Sequence, residues 1–143
     1  MWKLESTYGS MILSYLWRAM GCPEPTLTAC PFTDVGSDAY YYKAVLWAAE
    51  KGIAKGTTAV TFSPNDAVTR GQAVSFLYRA AGMPKSGTSN PFSDVGPNDY
   101  WYDAVLWAAE KTITGGTSAA TYSPADGCTR SQIITFLYRF LGR

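Results

Sequence analysis

The 143-residue sequence contains no histidine. That absence removes Ser-His-Asp and Cys-His nucleophilic catalysis, histidine-ligated zinc and any imidazole-based pH switch. Charge is scarce too: 16% of residues are charged, and 12 Lys plus Arg against 11 Asp plus Glu leave a net charge of +1. Phosphate-backbone recognition draws its affinity from a cationic excess, so no nucleic-acid partner is expected. The three cysteines, Cys22, Cys30 and Cys128, match neither a four-ligand metal pattern nor a CxxC pair, and neither metal nor cofactor is expected. Cys22 and Cys30 flank a proline-containing linker, and two readings stand for them: a small loop-closing disulfide in an oxidising compartment, or two free thiols. No apolar run approaches the ~18 residues of a membrane span, and Met1 to Ser6 lacks the apolar stretch of a signal peptide. The expectation is a soluble module belonging to a longer secreted protein.

Paired carboxylates, a glycine-rich phosphate loop and a nucleophile motif are all missing, so the chain is not expected to be an enzyme. The one catalytic chemistry left open is a carboxylate-only glycosidase, which needs merely two suitably separated acids. What the sequence does hold is aromatics, with 5 Trp, 10 Tyr and 6 Phe making 15% of residues. Tyr and Trp combine an apolar face with a polar tip and suit a binding surface.

The chain is also internally repetitive. Pro31 to Gly82 aligns without a gap on Pro91 to Gly142, with 31 identities in 52 positions. Ser14 to Gly21 matches Ser75 to Gly82 at an offset of 61, a third and partial copy. Units of this length that stack on one another share a backbone and cannot bury their apolar faces alone.

Each full copy reads as two helices. Tyr41, Ala44, Val45 and Ala48 recur at i, i+3, i+4 and i+7, and Leu46, Trp47 and Ala49 widen the stripe, so this first helix is mostly buried and Trp47 and Trp107 are core. Gly52 ends it in a left-handed turn, where the second copy has the less comfortable Thr112. A loop rich in turn formers follows, through Gly56, Ser63, Pro64 and Asp66, with Val60 to Phe62 able to pair briefly as extended chain. Thr69 then opens the second helix with Gln72 at capping-box spacing, repeated as Thr129 and Gln132. Gly82 and Pro84 stop that helix, as Gly21 and Pro23 stop its N-terminal counterpart.

Arg70 and Arg130 fall at the first position of the second helices, where unpartnered amides and the macrodipole disfavour a cation. An incoming carboxylate or phosphate would be attracted by the amides and the guanidinium together, which makes each arginine half of an anion site. The competing reading pairs these surface arginines with Asp34, Asp66, Asp94 or Asp126. Asp34 and Asp94 are candidate ligand acceptors, although holding loop amides is the stronger expectation. Tyr40, Tyr41, Tyr100 and Trp101 open the first helices, where they either face a sugar ring or fill the joint between units, the latter favoured for Tyr40 and Tyr100. Gly56-Thr57 and Gly116-Thr117 admit close backbone approach by a ligand, and tight-turn geometry alone also explains the glycines.

The succession of F-[ST]-D-V, the Y-x-Y-x-A-V-L-W-A-A-E-K helix, G-T, T-[FY]-S-P and T-R-x-Q, in order and twice, resembles the S-layer homology family. The resemblance implies a mainly α fold of tandem helix-loop-helix repeats in a pseudo-threefold helical prism, here with a truncated first module: 1–30 as a partial module, 31–90 and 91–143 as complete ones. It implies a non-catalytic anchor on the bacterial cell surface, holding secondary cell-wall polysaccharide, often pyruvylated, in grooves between modules. The family's key arginine falls on Arg70 and Arg130, and the pyruvyl carboxylate is the anion that the helix-start reading requires. Gln72, Gln132, Gly56, Thr57, Gly116, Thr117, Tyr41, Trp101, Asp34 and Asp94 complete the candidate ligand-binding set. An alternative keeps the same aromatic grooves for a protein partner.

Three departures from the family pattern matter. Gln72 and Gln132 stand where the motif usually ends in an acid, which removes negative charge near the anion. Tyr40 and Tyr100 replace a frequent Trp, and the partial copy has Tyr8-Gly9-Ser10-Met11 in place of T-R-x-Q, so at most two intact sites remain. The partial copy also lacks a first helix, which would leave an apolar gap in a threefold arrangement. Trp2 and Leu4 can cover part of it, or a second chain can close it as a homodimer.

Overall fold

The structure is a computed structural model and describes residues 6–142; Trp2 and Leu4, the expected cover, lie outside that range. Five helices form among the described residues: α1 (Gly9–Ala19), α2 (Tyr42–Glu50), α3 (Arg70–Ala80), α4 (Tyr102–Glu110) and α5 (Arg130–Phe140). Among the described residues extended chain is limited to isolated bridges such as Thr69 to Gly127, and the Val60 carbonyl accepts from the Thr33 amide at 2.8 Å. The fold is a helical tandem repeat. Helices α1, α3 and α5 occupy equivalent positions in the three copies, which puts Gly9 in the place of Arg70 and Arg130.

Two compact units make up the chain, Thr7–Ala67 and Val68 onward joined by Ser6. They are out of phase with the sequence repeats. Each unites the second helix of one copy with the first helix of the next, α1 with α2 and α3 with α4, and the second unit adds α5. The pairing follows from the stripes: Ile12, Leu13 and Leu16 are fully buried in the first unit with Val45 and Ala48, and Val74, Leu77, Val105, Ile113 and Ile133 in the second. Full burial of each such aliphatic side chain contributes about 1.5–3 kcal/mol. Trp47 and Trp107 are core as expected, and Trp107 lies 5.6 Å from Tyr78 and 6.0 Å from Phe140, centroid to centroid.

The helix ends are tied down by carboxylates. Glu50 closes α2, where the helix dipole disfavours an acid, yet its Oε1 accepts from the amides of Thr26 and Leu27 and from the Thr26 hydroxyl. Glu110 closes α4 and takes the Gly87 amide and the Ser86 and Thr88 hydroxyls. These donors hold both carboxyls below their ordinary value, the Thr26 hydroxyl foremost for Glu50 and the Gly87 amide foremost for Glu110. Cys22, Cys30 and Cys128 are free thiols.

One expectation is corrected. Tyr40 and Tyr100 are not core, being 64% and 58% exposed ahead of helices that begin only at Tyr42 and Tyr102, although Tyr100 reaches the Thr69 and Gln72 side chains at the start of α3. Each stands edge-on to its neighbour, Tyr41 at 5.0 Å and Trp101 at 4.7 Å.

After α2 the chain turns through Gly52 at φ +73°, and after α4 through Thr112 at φ +57°, a conformation that crowds any side chain. Thr112→Gly should therefore raise stability by about 1 kcal/mol and Gly52→Thr lower it by a similar amount, read as shifts of the melting midpoint. Trp47→Ala should cost about 3–5 kcal/mol in the same assay.

Candidate functional site

The second helices are built as the sequence suggested at their caps. Thr69 accepts from the Gln72 amide at 3.2 Å while Gln72 Oε1 accepts from the Thr69 amide at 2.9 Å, and Thr129 with Gln132 repeats both bonds. The remaining start amides of α3 are not open to a ligand. The Arg70 amide donates to the Asp126 carbonyl at 2.8 Å and the Gly71 amide to the Pro124 carbonyl at 2.9 Å, both from the S-P-x-D loop of the next copy. Helix α1 does the same with its own next loop, Gly9 to Asp66 and Ser10 to Pro64. The amide half of the anticipated anion site at Arg70 is thus consumed by the backbone, because orphan helix-start donors take a carbonyl wherever the next loop supplies one.

The Arg70 guanidinium lies in a setting that differs from a surface one. Arg70 is only 3% exposed. Its Nε donates to the Tyr122 carbonyl at 2.8 Å, the guanidinium carbon lies 4.5 Å from the Tyr122 ring centroid and 5.5 Å from that of Phe136, and the Tyr122 hydroxyl donates back to the Arg70 carbonyl at 3.0 Å. No carboxylate lies within salt-bridge reach of Arg70 among the described residues. The acidic partners proposed for it serve otherwise: Asp126 offers its carbonyl, and Asp94 accepts from the amides of Tyr122 at 2.9 Å and Ser123 at 2.8 Å. Asp34 grips Phe62 and Ser63 in the same way, so both aspartates are loop clamps. Burial pushes these two carboxyls up, but the amide donors outweigh it and hold both below the ordinary value, with Arg70 adding a further pull on Asp94.

Arg70 opens on a groove of about 330 Å³ in the second unit. The loop after α4 forms one wall with Thr114, Gly116 and Thr117, and α5 the other with Gln132, Phe136 and Arg139. None of its lining residues is acidic. Of the sequence candidates, Arg70, Gly116, Thr117 and Gln132 meet there. Arg130, Gln72, Gly56, Thr57, Tyr41, Trp101, Asp34 and Asp94 do not line it. Gly116 owes its identity to the turn, since at φ +87° a Cβ would come within 2.5 Å of the Thr121 carbonyl oxygen and 2.7 Å of the Phe92 ring; Gly56 is equivalent. Trp101 lies against α3, where a Cβ on Gly71 would fall 2.8 Å from its ring.

Sequence reasoning missed Tyr122, Phe136, Thr114 and Arg139. Tyr122 left a signal, a hydroxyl at the position where the first copy has Phe62. Its phenol is held far above its ordinary value by burial, with Arg70 opposing. The same burial pushes the nearby Cys128 thiol up to about 12, which makes it inert.

Comparison with known proteins now decides the family. The S-layer homology domain profile matches residues 31–74 and 91–134, each match ending inside a second helix. The chain belongs to the S-layer homology domain family. It is 31% identical over 116 residues to an endoglucanase of Bacillus sp. (strain KSM-635), covering 81% of this chain and 12% of that protein. It is 35% identical over 75 residues to the surface-layer 125 kDa protein of Lysinibacillus sphaericus, covering 52% of this chain and 6% of that one. A cell surface protein of Thermoanaerobacter kivui is 29% identical over 146 residues, covering 98% of the chain and 18% of the relative. The chain therefore spans less than a fifth of the length of these relatives. As an S-layer homology chain it is a cell-surface anchoring module, and no helix among the described residues is long and apolar enough to cross a membrane.

The aspartate clamps give a pH signature. A carboxylate whose folded pKa is depressed adds stability that is present above the unfolded value, about 4, and lost as pH falls through the folded one. The melting midpoint of the wild type should drop steeply below about pH 4. Asp34→Asn with Asp94→Asn should lower the midpoint at pH 7, by roughly 1 kcal/mol per lost bond, and flatten the acid fall. An equally steep fall in the double variant would contradict the clamp.

Proposed function

We propose that this S-layer homology chain is a non-catalytic wall anchor whose Arg70 groove holds an anionic terminus of secondary cell-wall polysaccharide, the pyruvyl carboxylate being the fitting chemistry. On this reading residues 31–90 and 91–143 are the complete modules and 1–30 a partial one. The observation that carries the proposal is a buried guanidinium with no carboxylate in salt-bridge reach among the described residues, opening on a groove without an acid. A buried charge lacking a counter-ion is expensive, and a ligand carboxylate that pairs with its free edge recovers that energy.

The groove's other features suit a sugar acid. Arg139, with Nη1 donating to the Ile113 carbonyl at 3.2 Å, adds a second cation, Phe136 offers an apolar face, and threonine hydroxyls supply neutral hydrogen-bonding groups. Arg130 lies outside this groove and is a secondary contributor.

Co-sedimentation with isolated cell-wall sacculi tests the proposal. Binding should occur, vanish when the pyruvylated polymer is stripped, and weaken about tenfold or more in Arg70→Lys, which keeps the charge but loses the planar fork. Arg130→Ala should matter less. Because Arg70 is packed between two rings, its variants are compared only after their melting midpoints are known. Binding that ignores both polymer removal and Arg70 would sink the anchor and favour a protein partner.

A further inference from the structure

One glycine on the groove wall is required by nothing in the fold. Gly115 follows α4 between Thr114 and Gly116 and lines the Arg70 groove with them. Gly116 is fixed by its turn, at φ +87° with no room for a Cβ. Gly115 differs on both counts, since its φ lies outside the left-handed region and a Cβ built there meets no atom within 4 Å. Glycine at such a position costs stability, because it leaves the unfolded chain more freedom than alanine would. The first copy has Lys55 in the same place.

The amides of this wall single out the same residue. The Thr114 amide donates to the Ala108 carbonyl at 3.3 Å, the Gly116 amide to the Thr114 hydroxyl at 3.1 Å and the Thr117 amide to the Thr121 carbonyl at 2.9 Å. The Gly115 amide has no acceptor among the described residues, and Gly115 is exposed. A free donor and a bare stretch of backbone therefore coincide on the wall opposite α5.

We propose that Gly115 is a specificity-determining residue of this groove: the missing side chain lets a saccharide ring lie against the loop backbone, and the Gly115 amide donates to one of its oxygens. Glycine serves where a ligand must approach the main chain closely. Resting on the reading of the Arg70 groove as a saccharide site, Gly115 supplies the contact to the sugar, where Arg70 supplies the one to its acid. A lysine at this position, as in the first copy, would add a cation beside an anion site but stand in the space the ring needs. Charge and close approach thus predict opposite effects for Gly115→Lys.

The test titrates the whole chain with the methyl glycoside of a pyruvylated amino sugar, followed by calorimetry and by proton–nitrogen NMR. In the wild type the Gly115 amide resonance should shift as the sugar binds. Gly115→Ala should weaken binding about tenfold, as expected for an extra methyl group in a close contact, while its melting midpoint holds or rises. Gly115→Lys should weaken binding at least as much despite its charge. Gly36→Ala, at a glycine of the other unit with equal room and no left-handed φ, should leave binding unchanged. Full-strength binding by Gly115→Ala, tighter binding by Gly115→Lys or an unmoved Gly115 resonance, with Arg70→Lys still weakening the wild-type interaction, would overturn the role of Gly115 and spare that of Arg70. A fall in the melting midpoint of Gly115→Ala would do the same, since the fold would then account for the glycine. Absence of wild-type binding, or binding indifferent to Arg70→Lys, would overturn both.

Discussion

The first amides of each second helix have no intrahelical acceptor, and in α1 and α3 the backbone of the following repeat supplies one. The carbonyls of Asp66 and Pro64 accept from the amides of Gly9 and Ser10 respectively, and those of Asp126 and Pro124 from Arg70 and Gly71. Much else follows from this exchange. It docks the S-P-x-D loop against the helix start, and the aspartate of F-x-D-V then fixes the same loop from its other side through two amides. In this chain the second helices α1 and α3 are therefore completed by the repeat that follows, which is why the compact units are half a repeat out of step with the sequence.

The same docking determines the character of Arg70. Once the next loop has taken the helix-start amides, Tyr122 lies alongside, its carbonyl accepts from Nε and its ring covers the guanidinium. The arginine gains packing and one side-chain hydrogen bond, and among the described residues no carboxylate comes within salt-bridge reach of it. Burial makes that residual charge a stronger attractor than an exposed arginine would be, since the surrounding medium screens it less. The hydrogen-bonded backbone and the flanking rings also fix the geometry of the guanidinium.

Much of this was legible in the sequence. The 3.6-residue stripes marked both kinds of helix, Thr69 with Gln72 marked the cap, and Gly52 against Thr112 marked the left-handed turn. All three are local signals, carried by residues within a few positions of one another. The groove was half legible: Arg70, Gly116, Thr117 and Gln132 were candidates and come together, while Arg139 and Phe136 sit in a helix whose repeated F-L-Y-R motif reads as ordinary packing. Tyr40 and Tyr100 were misread because aromatic content does not say which side of a turn a ring leaves from.

Sequence alone determined the repeat, the helices, their caps and the family, because periodicity, capping and turn chemistry act over short stretches of chain. Only the tertiary structure decided that the α3 amides are spent on Pro124 and Asp126, that Arg70 is buried beneath a tyrosine 52 residues away, and that its equivalents in α1 and α5 do not share its setting. Those outcomes depend on which repeat lies next to which helix. Three helices alike in sequence acquire different surfaces from their neighbours, and burial beneath Tyr122, not residue identity, sets Arg70 apart from Arg130.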